Sequence, residues 1–395
     1  MKKPLPRLAA DGLADWQPSA TQDWRQVPDL ETPFVAVSEA RLMRNLQRGA
    51  AIAKREGLSL RPHIKTHKSI AIARSQLALG ASGLTASKPR EALVFIKAGF
   101  PSITIAYPVV AAGAARTVLR EAQEAGCDLR MIVDSVAGVE ALEEAATRPL
   151  PVFLKVDVGL GRCGVRPTTA AFDAVLKALL EARNLKMTGL LSHAGHSYAA
   201  RGPDGIRGVA EEEVDVLKRA VDHVVQAGGS VDEISVGSTP TVLAATDFGQ
   251  ATELRPGNYA FLDLTALRLG IAGWQDLALA VVATVISEND GFSIIDAGSK
   301  TLSSDGAPHG GTAAGFGLAL PVSGSDDRPP LTVARLSEEH GFVDHGGQRL
   351  GIGSRLAIFP NHACPVANLA TTLTMVSTDG TYERVRVDAH AASSS

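Results

Sequence analysis

A (β/α)8 barrel (a TIM barrel) followed by a mainly β C-terminal domain is the fold class this sequence predicts, and three observations predict it. Between residues 58 and 264, short apolar or β-branched runs alternate with Ala-rich stretches of helical period. After about residue 270 the Ala-rich stretches disappear, and apolar runs follow one another between Gly, Asp and Ser turns. No early G-x-G-x-x-G turn marks a dinucleotide site, which disfavours an open doubly wound sheet. A length of 395 residues suits one large and one small domain.

Taken in order, residues 1–38 are an N-terminal segment whose apolar run at 32–37 reads as a strand joining the β domain. A helix is expected over 38–55, ahead of the first barrel strand. The barrel, residues 39–270, is predicted to carry strands near 59–65, 82–87, 102–107, 129–134, 152–157, 187–193, 233–237 and 259–264. Between them, stretches such as 89–98, 111–125 and 209–226 space their apolar residues by three and four, as helices do. The β domain, residues 271–395, has strand-like runs at 278–286, 292–295, 355–359 and 371–376. The chain ends, 1–30 and 389–395, read as mobile.

Composition narrows the function. Hydrophobic residues make up 45% and charged residues 21%, enough for a sizeable core. Lys and Arg total 39 against 42 Asp and Glu, so no global positive field draws the chain to nucleic acid or anionic lipid. The longest apolar run, 277–287, has eleven residues, whereas a spanning helix needs roughly 20. Pro4, Pro6, Arg7 and Asp11 interrupt any apolar leader, so a cytoplasmic enzyme is expected. Three cysteines, Cys127, Cys163 and Cys364, cannot make a paired framework, and any role for one is chemical.

The most informative segment is Arg61-Pro62-His63-Ile64-Lys65-Thr66-His67-Lys68, at the end of the first expected barrel strand. On an extended strand Arg61, His63, Lys65 and His67 would share one face, a poor core layer but a good anion site. Neighbouring positive charge depresses a lysine pKa, which makes Lys65 the candidate nucleophile toward a carbonyl. The alternative is a solvated basic turn at the barrel rim.

Further polar groups follow other strands. Ser235-Val236-Gly237-Ser238-Thr239-Pro240 combines a glycine for close backbone approach, two hydroxyls and a proline suited to a first helical turn. Phosphate sites in barrels often follow strands seven and eight, and Arg255-Pro256-Gly257-Asn258-Tyr259 can add N–H groups and a hydroxyl. The competing reading of the first string is an ordinary helix cap. Arg162 and Cys163 lie after the fifth strand, and His193, His196 and Tyr198 after the sixth. Taken singly, Arg162 reads equally as a structural arginine and His193 as a satisfied barrel histidine. In the β domain, His362 and Cys364 stand i, i+2; on an extended segment both would point one way, matching zinc's preference for nitrogen and sulfur. A buried cysteine beside a loop histidine is the other reading.

The strings R-P-H-I-K-T-H-K, S-V-G-S-T-P, R-P-G-N-Y, S-E-E-H-G and P-N-H-A-C-P recur here in the order that resembles the D-serine dehydratase and D-threonine aldolase family, within the alanine-racemase-like class of pyridoxal-phosphate enzymes. The resemblance runs from about residue 32 to 369. It implies that Lys65 binds pyridoxal 5'-phosphate covalently, beside His63. Gly237, Ser238 and Thr239 match the phosphate loop, and Gly257 and Asn258 its second half, next to Tyr259. Tyr198 and His193 match residues near the cofactor, and Arg162 resembles the arginine aimed at its phenolic oxygen. His362 and Cys364 match a divalent-metal pair, here suited to zinc, where aldolases of the family carry His-x-Asp. One departure is Leu191, where animal dehydratases carry an aromatic residue two positions before the matched His193. The resemblance implies a homodimeric lyase that dehydrates D-serine or a related D-3-hydroxy amino acid such as D-threonine or D-3-hydroxyaspartate. Retro-aldol cleavage, racemisation and non-catalytic cofactor carriage are the alternatives.

Overall fold

The computed structural model describes residues 17, 24, 26–306, 314–322 and 329–392. The chain divides into two compact units, Leu46–Tyr259 with Asp388–Ser395, and Met1–Asn45 with Ala260–Val387. The first strand, β1 (Phe34–Ser38), belongs to the second unit.

The barrel unit holds eight parallel strands: β2 (Ser59–Leu60), β3 (Leu84–Ala86), β4 (Ser102–Ile105), β5 (Asp128–Val133), β6 (Leu150–Lys155), β7 (Leu185–Leu191), β8 (Glu233–Val236) and β9 (Glu253–Leu254). Their order is β2-β9-β8-β7-β6-β5-β4-β3. A parallel bridge between His63 and Thr85, with Ser82 N–H donating to Leu60 O and Thr85 N–H to Pro62 O at 2.8 Å each, joins the two ends and closes the barrel. Residues 131–133 and 152–154 are buried throughout, as expected of strands covered by helices outside and packed inside. Helix starts are chemically marked. Pro89 opens Pro89–Lys97, Ser135 Oγ accepts from Gly138 N–H at 3.1 Å ahead of Val136–Ala145, and Thr169 Oγ1 accepts from Phe172 N–H ahead of Ala170–Glu181.

Three expectations about this unit need correction. The eighth strand is Glu253–Leu254, not 259–264, because Pro256 has no N–H to continue the ladder. The apolar run at 259–264 is buried in irregular chain and the start of the helix Leu264–Arg268. Second, β2 is two residues long, so strand alternation does not carry Arg61 to the same place as Lys65. Arg61 is buried, bonded through Nε to Glu253 Oε2 at 2.6 Å and through Nη1 to Ser102 Oγ at 2.8 Å. Arg130 joins the same carboxylate at 2.9 Å and Glu233 at 2.6 Å, so this layer is an ion network rather than an aliphatic one. Third, of the end expected to be mobile, residues 389–392 follow a tied-down turn, and 393–395 lie outside the described residues: Asp388 Oδ2 accepts from Ile70 N–H at 2.8 Å, at the start of Ile70–Ala78, and Ala389 N–H donates to Lys68 O at 3.1 Å.

The second unit is built on β10 (Leu279–Glu288), with β11 (Phe292–Ile295), β12 (Leu318–Pro321), β13 (Leu331–Leu336), β14 (Gly341–Asp344), β15 (Arg355–Phe359), β16 (Thr372–Val376) and β17 (Tyr382–Arg386). Sheet order is β11-β14-β13-β12-β15-β10-β1-β16-β17, and β11 also pairs with the far end of β10, so six strands close on themselves. β1 runs antiparallel to β10 and parallel to β16. The unit takes the start of the helix Glu39–Glu56 because Arg41 Nη1 donates to Trp274 O at 2.6 Å and Asn45 Nδ2 to Asp276 O at 2.8 Å. It also takes Leu264–Arg268, so the two compact units meet along the chain at 45/46, 259/260 and 387/388.

Candidate active site

Lys65 sits in a one-turn 3₁₀ helix, Ile64–Thr66, between β2 and Ile70–Ala78. His63 caps that turn, its Nδ1 accepting from Lys65 N–H at 3.4 Å, and Lys65 itself is half-buried. His67 does not share a face with Lys65. It is fully buried, with Nδ1 accepting from Ser69 N–H at 3.1 Å. The remaining nitrogen, Nε2, therefore carries the hydrogen and donates to Gln76 Oε1 at 3.3 Å. Gln76 Nε2 in turn donates to the Tyr259 hydroxyl at 3.1 Å. Burial lowers the His67 pKa to about 4, so this relay is neutral.

The charge around Lys65 comes from other strand ends. His63 is held well below its ordinary pKa by burial first, then by Lys65, Arg255 and Arg162. His193 is lowered by burial first, then by Lys65, Lys155 and Arg162, and its Nδ1 donates to Gly237 O at 3.1 Å. Lys155, the last residue of β6, is buried, and burial followed by Arg255 lowers its pKa to about 7. Burial lowers Arg255 to about 10; it bonds Ser235 Oγ at 2.6 Å and the Ser192 carbonyl. Neutral imidazoles among four cations make a site for an anion. Arg162 reaches it from an exposed loop folded around Asp157, whose Oδ1 accepts from Gly159 and Gly161 N–H at 3.1 and 3.0 Å.

The expected phosphate loop lies beside this field. Gly237 has φ +116, a conformation that favours glycine, and a Cβ there would meet Val242 at 3.1 Å and Arg255 N at 3.4 Å. Ser238 caps Thr239–Ala244 in a capping box with Thr241, and its Oγ lies 2.8 Å from Ser197 Oγ on the turn Gly195–Ala199 that carries Tyr198. Thr239 Oγ1 accepts from Tyr259 N–H at 3.1 Å. A Cβ on Gly257 would meet Thr66 Oγ1 at 3.0 Å and His63 Cβ at 3.2 Å, so glycine lets the 255–258 loop, with Asn258, close on the Lys65 turn. The Tyr259 hydroxyl, expected at the phosphate, is instead buried against Gln76, and burial raises its pKa. Leu191 packs with Ile132 and Phe153 in a small apolar cluster.

Sequence reading passed over Lys155, the Arg255 side chain, Gln76 and Glu213. Glu213 is buried and accepts from Ser192 Oγ at 2.5 Å; burial raises its pKa against Ser192, Arg255 and Lys155. A signal existed for two of them: Lys155 ends an otherwise apolar strand, and Glu213 shares the buried face of Gly202–Gln226 with Ala210, Val216 and Leu217.

In the second unit, His362 and Cys364 meet, though not by strand alternation. His362 is the extended N-cap of Ala363–Leu369 and Cys364 lies in that helix's first turn. Burial opposes the imidazolium, but Cys364, Asp305 and Asp263 outweigh it and raise the His362 pKa to about 10. His362 Nδ1 lies 2.8 Å from Asp305 Oδ2. A nitrogen and a sulfur donor side by side fit zinc, and among the described residues no three His, Cys, Asp or Glu converge as a metal cage.

The family described as alanine racemase, N-terminal domain, matches residues 37–265, and the putative serine dehydratase domain matches residues 278–376. A D-threo-3-hydroxyaspartate dehydratase from Delftia sp. (strain HT23) is 33% identical over 90% of this chain and 97% of its own. Its solved structure agrees with a TM-score of 0.83 over 91% of this chain and 97% of that one. The chain belongs to the D-serine dehydratase and D-threonine aldolase family. Other members are a D-threonine aldolase from Arthrobacter sp., 31% identical over 93% of this chain and 94% of its own, and a D-serine dehydratase from Dictyostelium discoideum, 26% identical over 89% and 95%. Other solved D-threo-3-hydroxyaspartate dehydratase structures are a His-to-Ala variant and, two positions along, a Cys-to-Ala variant in a metal-free form, each 32% identical over 91% of this chain. The family's cofactor, pyridoxal phosphate, fits what the barrel offers: a half-buried lysine, three further cations around it (Lys155, Arg162 and Arg255) and a glycine at φ +116 whose Cβ would crowd the loop.

Proposed function

We propose that this enzyme is a pyridoxal-phosphate- and zinc-dependent lyase that dehydrates a D-3-hydroxy amino acid, D-serine or D-3-hydroxyaspartate foremost, to a 2-keto acid and ammonia. The observation that carries the choice of dehydration is the neighbouring imidazole and thiol of His362 and Cys364, a borderline-soft donor pair that suits zinc. The likeness to a D-threo-3-hydroxyaspartate dehydratase whose Cys-to-Ala variant is metal-free supports it.

Pyridoxal phosphate would be held by Lys65, with Gly237, Ser238, Thr239, Gly257 and Asn258 around its phosphate, and when bound it supplies an electron sink for charge at Cα. Zinc held by His362 and Cys364 would supply Lewis acidity for a departing hydroxide. The Lys65 amine would take the Cα proton, the Cβ hydroxyl would depart as water, and the released enamine would take up one water to give the keto acid and ammonia. Burial, reinforced by the surrounding cations, keeps His63 and His193 neutral, and those cations favour the substrate carboxylate. Arg162 and Tyr198 complete the cofactor contacts that the family resemblance implies. The family resemblance supports a homodimer. Among the described residues no helix is long and apolar enough to cross a membrane.

Retro-aldol cleavage is the second reading, supported by the likeness to the Arthrobacter aldolase. The test is direct: the cofactor-loaded protein is incubated with D-serine, D-threonine and D-threo-3-hydroxyaspartate. Keto acid and ammonia in equal amounts are expected; glycine with an aldehyde would replace dehydration by aldol cleavage.

A further inference from the structure

We infer that Asp305 is a positioning residue that orients His362 so that its Nε2 faces the metal, an inference that rests on the metal reading of the His362–Cys364 pair. The ring has two nitrogens, and one that donates its N–H to a carboxylate cannot also lend a lone pair to a cation. The 2.8 Å contact between His362 Nδ1 and Asp305 Oδ2 commits Nδ1 as donor. That leaves Nε2 as the ligand, and the carboxylate behind the ring raises its basicity.

The surroundings make ring orientation the degree of freedom left to set, because the backbone of the 360–363 turn is already clamped. Ala363 N–H donates to Asp263 Oδ2 at 2.9 Å, and Thr265 Oγ1 donates to Asn361 O at 2.7 Å. Arg268 Nη2 donates to Asn361 Oδ1 at 2.8 Å, and Asn361 Nδ2 to Gly315 O at 2.9 Å. None of these bonds touches the imidazole. Asp305 arrives from 57 residues away in sequence, on the turn after Ser299–Leu302, where its own N–H donates to Ser303 Oγ at 3.1 Å. Its side chain is 35% exposed and that of His362 19%, so the pair is more sheltered than a surface ion pair between mobile side chains. A direct ligand role for Asp305 is disfavoured: its oxygen is engaged at Nδ1, and no three-residue cage forms among the described residues.

The experiment measures metal binding in the cofactor-loaded protein, by zinc competition with a chromophoric chelator and by the thiolate-to-cobalt absorption of the Co(II) form. Asp305→Ala is expected to weaken zinc about 10–100-fold, while Asp305→Asn, whose amide oxygen still accepts from Nδ1–H, stays within about threefold of wild type. At saturating cobalt both keep the thiolate band, which Cys364→Ala loses. Asp305→Ser repeats the truncation should the alanine variant lose its melting transition. Zinc affinity unchanged in the truncations overturns the inference while leaving the metal reading intact. Asparagine falling as far as alanine overturns it too, by making Asp305 a ligand. A wild-type protein that binds neither metal overturns the metal reading and the inference together.

Discussion

The turn that carries Lys65 and the turn that carries His362 both present imidazoles, and they tune them in opposite directions. Around Lys65, burial and cations act together, so His63 and His193 are held well below the ordinary histidine range. Around His362, burial acts in the same direction, yet Cys364, Asp305 and Asp263 reverse it. The first setting suits an anionic cofactor and substrate; the second suits a cation. Burial lowers a histidine's pKa in both settings, and the sign of the nearest charges decides whether that shift is reinforced or reversed.

The largest expected effect breaks the first setting at its centre. Lys65→Ala removes the proposed cofactor attachment and the proposed base, and turnover should fall at least about 10³-fold, with loss of the yellow absorbance of the loaded protein. A lysine elsewhere that keeps the colour and the rate would move the centre of the barrel site.

The next effect sharpens the comparison through pH. His67 has a folded pKa of about 4 against an ordinary 6.5, so the unfolded chain takes up the proton first. Its contribution is fully present above about pH 6.5 and is lost as pH falls toward 4, about 3 kcal/mol in all. Urea unfolding at pH 7, 5.5 and 4.5 should show a steeper loss in wild type than in His67→Gln; parallel curves would mean that His67 protonates without penalty.

The smallest effects separate two residues that the sequence placed together at the phosphate. Thr239→Val removes a hydroxyl from the loop and should weaken the cofactor by about 1.5–3 kcal/mol, the range of a hydrogen bond to a charged group. Tyr259→Phe leaves Gln76 Nε2 without its acceptor and should cost about 1 kcal/mol of stability with the cofactor dissociation constant unchanged. Equilibrium titration of both variants checks this, and a weakened cofactor in Tyr259→Phe would return its hydroxyl to the phosphate.

Much of this was legible before any coordinates. Alternating apolar runs and helical stretches have a period that local chemistry imposes, so the barrel and the β domain could be read from residue spacing. Lys65, Gly237 and the His362–Cys364 pair stood out because glycine, lysine, histidine and cysteine at strand ends are poor core and good chemistry. What the sequence could not decide was direction. Arg61, two residues from His63, turns to Glu253 on a strand 192 residues away, and Tyr259 turns to Gln76. Lys155 and Arg255 enter the Lys65 field from β6 and from the turn after β9. Strand and helix periods are set by neighbours along the chain, whereas the partner of a buried polar group is set by barrel closure, which brings distant strand ends together and leaves each charge to pair or shift its pKa.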